Sequence, residues 1–273
     1  MTDPRSRSAA FPWLDGRPAH LPCREGDVTP SVLLPGDPDR VDMAVRVLDD
    51  PVAIGRRREF QMARGTWQGT PVTVCSTGIG GPSTEIAVVE LAHLGMRCGI
   101  RVGGMGAIDP SLPLGSFLIV DKALRNTGTA RIYAPSDEAI PASPSIVEAL
   151  EAAAAALGLP CRRGAIYTTD SYYWGQERVV RPGADPERLP TAGLMRRLAA
   201  AGAAGMDMEC EALFAVGRAL DVEVGAVLAV HGNRATDRWL EDYEKTQADL
   251  IHLAAAAVAL LDAGPASNPG ALR

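Results

Sequence analysis

Three arginines carry the first chemical signal. Arg101 lies inside the apolar stretch "GIRVGGMGAI". A guanidinium buried there is costly unless an anion pairs with it. Arg40 closes "LLPGDPDR", four residues after Gly36, and Arg58 lies in "RRREF". Guanidinium forks match the oxygens of a phosphate, and glycine backbone at a strand end lets N–H groups approach one. Gly36, Arg40, Arg58 and Arg101 therefore form a candidate dianion site.

A second glycine-rich stretch, "STGIGGPSTEIAVVELAHLG" (76–95), has the strand–turn–helix layout of a phosphate loop. It lacks the lysine of a P-loop and the spacing of a dinucleotide fingerprint. Two readings stand: a tight turn before a helix, or an anion site at the helix N-terminus.

Apolar runs at 31–34, 72–75, 98–103, 116–120, 164–168 and 222–230 predict strands that would position these groups. Residues 60–67 pair with 72–75 as a hairpin around Gln68-Gly69-Thr70. Helices are predicted over 41–47, from Pro82 to a stop at Gly95, from Pro144 to Leu157, and over 194–204 and 249–262. Ser143 is the expected N-cap of the third. Strands alternate with helices, with no linker or internal repeat, so the class is α/β with a largely parallel or mixed sheet in one domain.

The chain has 273 residues, 47% hydrophobic and 22% charged, enough for a sizeable core. A net charge of −6 offers no basic field, so neither nucleic acid nor membrane is an expected partner. Met1 to Pro18 is polar and proline-rich, and the apolar run near Leu253 to Leu261 is too short for a bilayer. The expectation is a soluble, cytoplasmic protein. Its five cysteines form no CxxC pair and read as reduced thiols; its four histidines lack metal-ligand spacing.

"LPGDPDR", "REF", "STGIGGPS", "RVGGMGAI", "YWGQER" and "DMECEAL" stand in the order found in the nucleoside phosphorylase-I family. The chain most resembles the uridine phosphorylase branch, over roughly His20 to Gly264. The resemblance implies a three-layer α/β/α fold with a mixed, partly barrel-like central sheet. It implies a flexible arm at 1–19, the enzyme domain at 20–264 and a disordered tail at 265–273. The implied reaction is pentosyl transfer in pyrimidine salvage: phosphate attacks C1′ of uridine or a close relative, giving free base and ribose 1-phosphate. Phosphate is a co-substrate, and no cofactor is implied.

Carried over by motif, Gly36, Arg40 and Arg101 would hold phosphate. Arg58 would reach the phosphate of a neighbouring subunit, and His20 the ribose 5′-hydroxyl across the same interface. The implied assembly is a homodimer with shared active sites, built into a homohexamer as a trimer of dimers. Met208 and Glu209 would bind ribose, the carboxylate stabilising the oxocarbenium-like transition state. Gln176 presents a donor and an acceptor to the O2/N3 edge of uracil. Arg178 would reach O4 and stabilise the leaving base, and Tyr172 would stack on base or ribose. Glu209, Arg178 and Arg101 are thus the catalytic candidates. The 76–95 turn would pack under the site and at the dimer interface, with a monovalent cation such as K+ at Glu59 and Ser83.

Four residues depart from the pattern. Gly104 and Met105 stand where two hydroxyl residues are usual, which predicts weaker phosphate binding and open space beside the sugar. His231 and Gly232 replace aliphatic residues; His231 reads either as a base contact or as a packed histidine. These departures leave a hydrolytic nucleosidase, or a phosphorylase of a modified nucleoside, as alternatives. A non-catalytic nucleoside-binding protein is a third.

Overall fold

The computed structural model describes residues 8–263. Four strands are near-continuous apolar runs because both their faces are buried: β1 (Ser31–Pro35), β4 (Thr70–Cys75), β5 (Cys98–Ala107) and β10 (Glu223–Asn233). β1 lies parallel between β4 and β5, and β10 runs parallel to β5 on its other side. β10 pairs antiparallel with β6 (Phe117–Leu124), β6 parallel with β8 (Cys161–Thr168), and β8 parallel with β9 (Ala203–Asp207). β9 then returns antiparallel to β5. The strands β5, β10, β6, β8 and β9 therefore close a barrel-like ring. Outside it, β4 continues the sheet through β3 (Phe60–Trp67) to β2 (Asp49–Arg57). The short strands β7 (Ile140–Pro141) and β11 (Arg238–Trp239) pair with β6 and β10.

Helices cover both faces. α2 (Gly81–His93), α3 (Gly128–Tyr133) and α6 (Cys210–Ala219) pack together, and so do α1 (Asp39–Val45), α4 (Pro144–Leu157) and α7 (Glu244–Asp262). α4 and α6 both touch β6 and β10, from opposite sides, which makes the three layers. α5 (Leu194–Ala200) packs on β9. Among the described residues no helix is long and apolar enough to cross a membrane. The tail expected at 265–273, like residues 1–7 of the arm, lies outside the described residues.

Several elements differ from the sequence expectation. The alanine-rich helix stops at Ala200 rather than 204, because Gly202 turns the chain at φ +82° and the next residues join the ring as β9. Alanine favours helix locally, but pairing on both edges wins here. The first helix spans 39–45, not 41–47, and α7 begins at Glu244, ahead of the expected 249. β2 and α3 went unread: both are short on apolar periodicity, β2 being largely exposed. Ser143 sits at the N-cap position of α4, but its hydroxyl accepts from Val224 N–H at 2.9 Å instead of capping the helix.

Candidate active site

A cavity of 1110 Å³ opens where β1, β5, β9 and β10 present their carboxyl-terminal halves. It is bordered by Gly36, Arg40, Arg58, Arg101, Tyr172, Gln176, Arg178, Met208, Glu209 and His231, and by Glu59 and Ser83. His20 is the one expected site residue that does not border it.

Arg101 is buried at the centre. Its Nε donates to Asp207 at 3.2 Å, and its Nη2 forms an ion pair with Glu209 Oε2 at 2.5 Å. Its Nη1 faces the Gly36 turn: a Cβ built on Gly36 would lie 3.9 Å away. The two carboxylates hold Arg101 cationic, its pKa driven above the ordinary arginine range against the effect of burial. Arg40 lies close by. Its Nη1 donates to the Val102 carbonyl at 3.0 Å, while its buried Nε has no partner. Burial, and then the neighbouring Arg101 charge, push the Arg40 pKa down. A buried and a half-buried guanidinium that repel each other, each with N–H groups unspent, have the donors to receive a multivalent anion.

The 76–95 turn does hold an anion, but the anion is internal. Gly80 N–H, at the start of α2, donates to Glu209 Oε1 at 2.7 Å. The helix N-terminus and Arg101 thus fix the Glu209 carboxylate from two sides. Burial, and to a lesser degree Asp207, raise the Glu209 pKa, with Arg101 working against them. Gly78 carries a positive φ of +71°. A side chain there would strike Glu59 Cγ and Ser83 Oγ, both 2.7 Å from its Cβ position. Those two residues are bonded to each other, Ser83 donating to Glu59 at 2.9 Å.

Gln176 and Arg178 line the opposite end. Gln176 is buried, and the Arg178 guanidinium lies over the Tyr172 ring at 4.5 Å with its Nε unpartnered. Their loop is anchored from the residue that follows β10: Arg234 Nη1 donates to the Gln176 carbonyl at 2.8 Å and Nη2 to the Glu177 carbonyl at 3.2 Å. The Asn233 amide donates to the Asp109 and Leu112 carbonyls, both at 2.9 Å. Asn233 and Arg234 thus hold the frame of this end.

The open space expected at Gly104 is absent. A Cβ there would fall 2.5 Å from Nδ1 and 2.7 Å from Cε1 of His231, so the imidazole fills the place of the missing side chain. Gly232 makes the same exchange with another ring: its Cβ would lie 2.8 Å from the Trp239 indole, which also borders the cavity. His20 lies apart. Its Nδ1 is 2.7 Å from Glu90 Oε1, and Glu90 also accepts from the backbone of His20 and Leu21. Arg58, expected to serve a neighbour, borders the cavity of its own chain from the two-residue turn between β2 and β3.

Two residues that shape this site had no role assigned from the sequence. Asp207 orients Arg101 and is itself held by Thr168 Oγ1 at 2.7 Å and Cys210 N–H at 3.0 Å. It stands first in "DMECEAL", so the motif contained it. Trp239 carried no local signal at all.

The model of the phosphorylase superfamily matches residues 30–263. The chain is 37% identical to the uridine phosphorylase of Thermococcus kodakarensis over 86% of its length and 84% of that protein. It is 36% identical to the Escherichia coli uridine phosphorylase, covering 79% and 85%. To a guanosine phosphorylase of Halorubrum lacusprofundi it is 31% identical, covering 78% and 83%. With this extent of match, and with arginines and a carboxylate gathered as the motifs imply, the chain belongs to the phosphorylase superfamily.

Proposed function

We propose that the protein cleaves a pyrimidine nucleoside, uridine or a close relative, with inorganic phosphate. The paired guanidiniums of Arg40 and Arg101 carry this reading, because a water nucleophile would need no such receptor. Phosphate held there with the Gly36 turn directs an oxygen at C1′. As the new C–O bond forms, the C1′–N1 bond breaks and its electron pair leaves with the base. Glu209 accepts from the 2′ and 3′ hydroxyls beside Met208 and stabilises the growing positive charge on ribose. Gln176 meets the O2/N3 edge, Arg178 takes the negative charge at O4, and Tyr172 packs on the base or ribose. The uridine phosphorylases among the relatives support this substrate class. Free-base release from uridine and inosine, with and without phosphate, is the test. The expected result is phosphate-dependent uracil release with ribose 1-phosphate, and inosine at least tenfold poorer in kcat/KM. Equal release without phosphate, with free ribose, would establish the nucleosidase; preference for inosine would establish a purine enzyme.

The shared-site homodimer, the hexamer of three such dimers and the cytoplasmic, pyrimidine-salvage setting belong to the same reading. In support, His20 stands outside its own cavity, and Glu90 engages Nδ1, leaving Nε2 available to a neighbour's ribose. One carboxylate and one hydroxyl, Glu59 and Ser83, are too few oxygens to enclose a K+ ion, so an ion there would draw further ligands from a second copy. Arg58 borders its own cavity, and mixing decides where it acts. An Arg58→Ala chain exchanged with a Glu209→Ala chain regains activity if Arg58 works on the neighbour, since one site per heterodimer is then intact. No recovery after confirmed exchange would place Arg58 in its own chain's site.

A further inference from the structure

His231 is the extra residue of a bulge in β10. Val230 pairs with Met105 and Gly232 with Gly106, so one residue of β5 follows where β10 spends two. The bulge turns the imidazole onto Gly104, on the wall of the cavity. This makes Gly104 and His231 one unit, in which the ring stands where a side chain at 104 would stand.

The ring lies at the arginine end of the cavity. Arg40 is the charged neighbour whose field acts on it. Its other titratable neighbour is Tyr243, whose ring centroid lies 5.3 Å away. Burial first, and Arg40 second, lower the His231 pKa to about 4, so the imidazole is neutral near pH 7. Its Nε2 is buried without a hydrogen-bond partner. A buried polar atom is seldom left unpaired, and an atom without exposed surface is out of a ligand's reach, which points to a ring turn that satisfies it. A half-turn of the ring exchanges Nε2 with Cε1, an alternative that ring geometry alone does not distinguish. In either orientation a nitrogen borders the place of a 104 side chain: Nδ1 as placed, Nε2 after the turn. No protein partner pins Nε2, so the single proton of a neutral imidazole is free to sit on the nitrogen that meets an acceptor.

We infer that His231 is a phosphate-binding residue, donating from its imidazole to the phosphate held by Arg40 and Arg101 in place of the hydroxyl that Gly104 lacks. This rests on the phosphorolytic reading and replaces the assignment of His231 to the base. It also means that adding a hydroxyl at 104 would not by itself strengthen phosphate binding. A threonine at 104 alone collides with the ring and impairs phosphate binding rather than improving it.

Calorimetric titration of the free protein with inorganic phosphate tests the site without any nucleoside, and steady-state kinetics then separate the two substrates. His231→Ala is expected to raise the phosphate Kd and KM by roughly tenfold or more, the loss of one hydrogen bond to a charged group. The uridine KM should change less than threefold. His231→Asn, which keeps a donor, should lose less than His231→Ala. The decisive variant is the double substitution Gly104→Thr with His231→Ala, expected to recover phosphate affinity to within about threefold of the wild type, because the hydroxyl then has room. Melting temperatures identify any variant whose loss comes from misfolding, and the His231→Asn comparison then decides. An unchanged phosphate Kd in His231→Ala, or an effect confined to the uridine KM, would overturn the inference. If phosphate binds and depends on His231 but uridine is not cleaved, the substrate reading fails while this one stands.

Discussion

Replacing Glu209 by glutamine should lower kcat with uridine by about 10²–10³-fold, the scale of removing one preorganised electrostatic partner of a transition state. Glu209 is 5% exposed, and its carboxylate is held in place by Arg101 Nη2 and Gly80 N–H before substrate arrives. Glutamine keeps the shape and one acceptor oxygen, so substrate still docks. It removes the negative charge that faces the ribose as C1′ becomes cationic. The loss should therefore appear in kcat more than in the phosphate KM. The acid limb of the wild-type kcat–pH profile should share this origin. Burial raises the Glu209 pKa, and a protonated carboxyl cannot stabilise a cation, so activity falls as pH drops through a value above the ordinary carboxylate range. In Glu209→Gln that limb should vanish. Steady-state kinetics over pH would expose an error: a kcat within tenfold of wild type, or an unchanged acid limb, removes Glu209 from the chemistry.

Replacing Arg101 by methionine should be the most damaging single change, because the residue serves both stability and binding. In the native protein Asp207 and Glu209 share its guanidinium. Without it, two buried carboxylates face each other. The expected cost is about 3–5 kcal/mol, as for other broken buried ion pairs, with one carboxylate taking up a proton to limit it. Phosphate loses the Nη1 donor facing the Gly36 turn, so its KM should rise by about 10²-fold or more. Arg101→Lys should restore part of the stability and little of the phosphate affinity, since an ammonium cannot bridge two carboxylates and an anion through a planar fork. Urea unfolding and phosphate KM, measured on both variants, read the two effects separately. A methionine variant as stable as the wild type would mean that the carboxylates never needed the cation.

The gathering of Gly36, Arg40 and Arg101 at one cavity was legible in the sequence because its signals are local. A guanidinium inside an apolar run announces a buried anion partner. The Gly36 turn with Arg40 lies within a few residues of a strand end. The central strands were legible too, since chain buried on both faces is largely apolar, as β1, β4, β5 and β10 are but for a few residues such as Arg101. The "GQER" and "DMEC" stretches were singled out by motif, and both border the cavity, although nothing in their spacing places them beside it.

What the tertiary structure decided is long-range. Arg101 and Asp207 stand 106 positions apart and meet because β9 closes the ring onto β5. That closure overrides the helical preference of an alanine-rich segment, so neither β9 nor the role of Asp207 follows from local propensity. The glycine turn at 76–95 read either as a tight turn or as an anion site, and only the approach of α6 shows that its Gly80 N–H serves Glu209. Gly104 read as a lost hydroxyl and Gly232 as a lost aliphatic wall, two separate defects. In space each is the floor beneath a ring, His231 on one and Trp239 on the other. A sequence records that a side chain is missing; whether the space is left open or taken depends on strand register, here on one bulge in β10 and on the β10–β11 pairing.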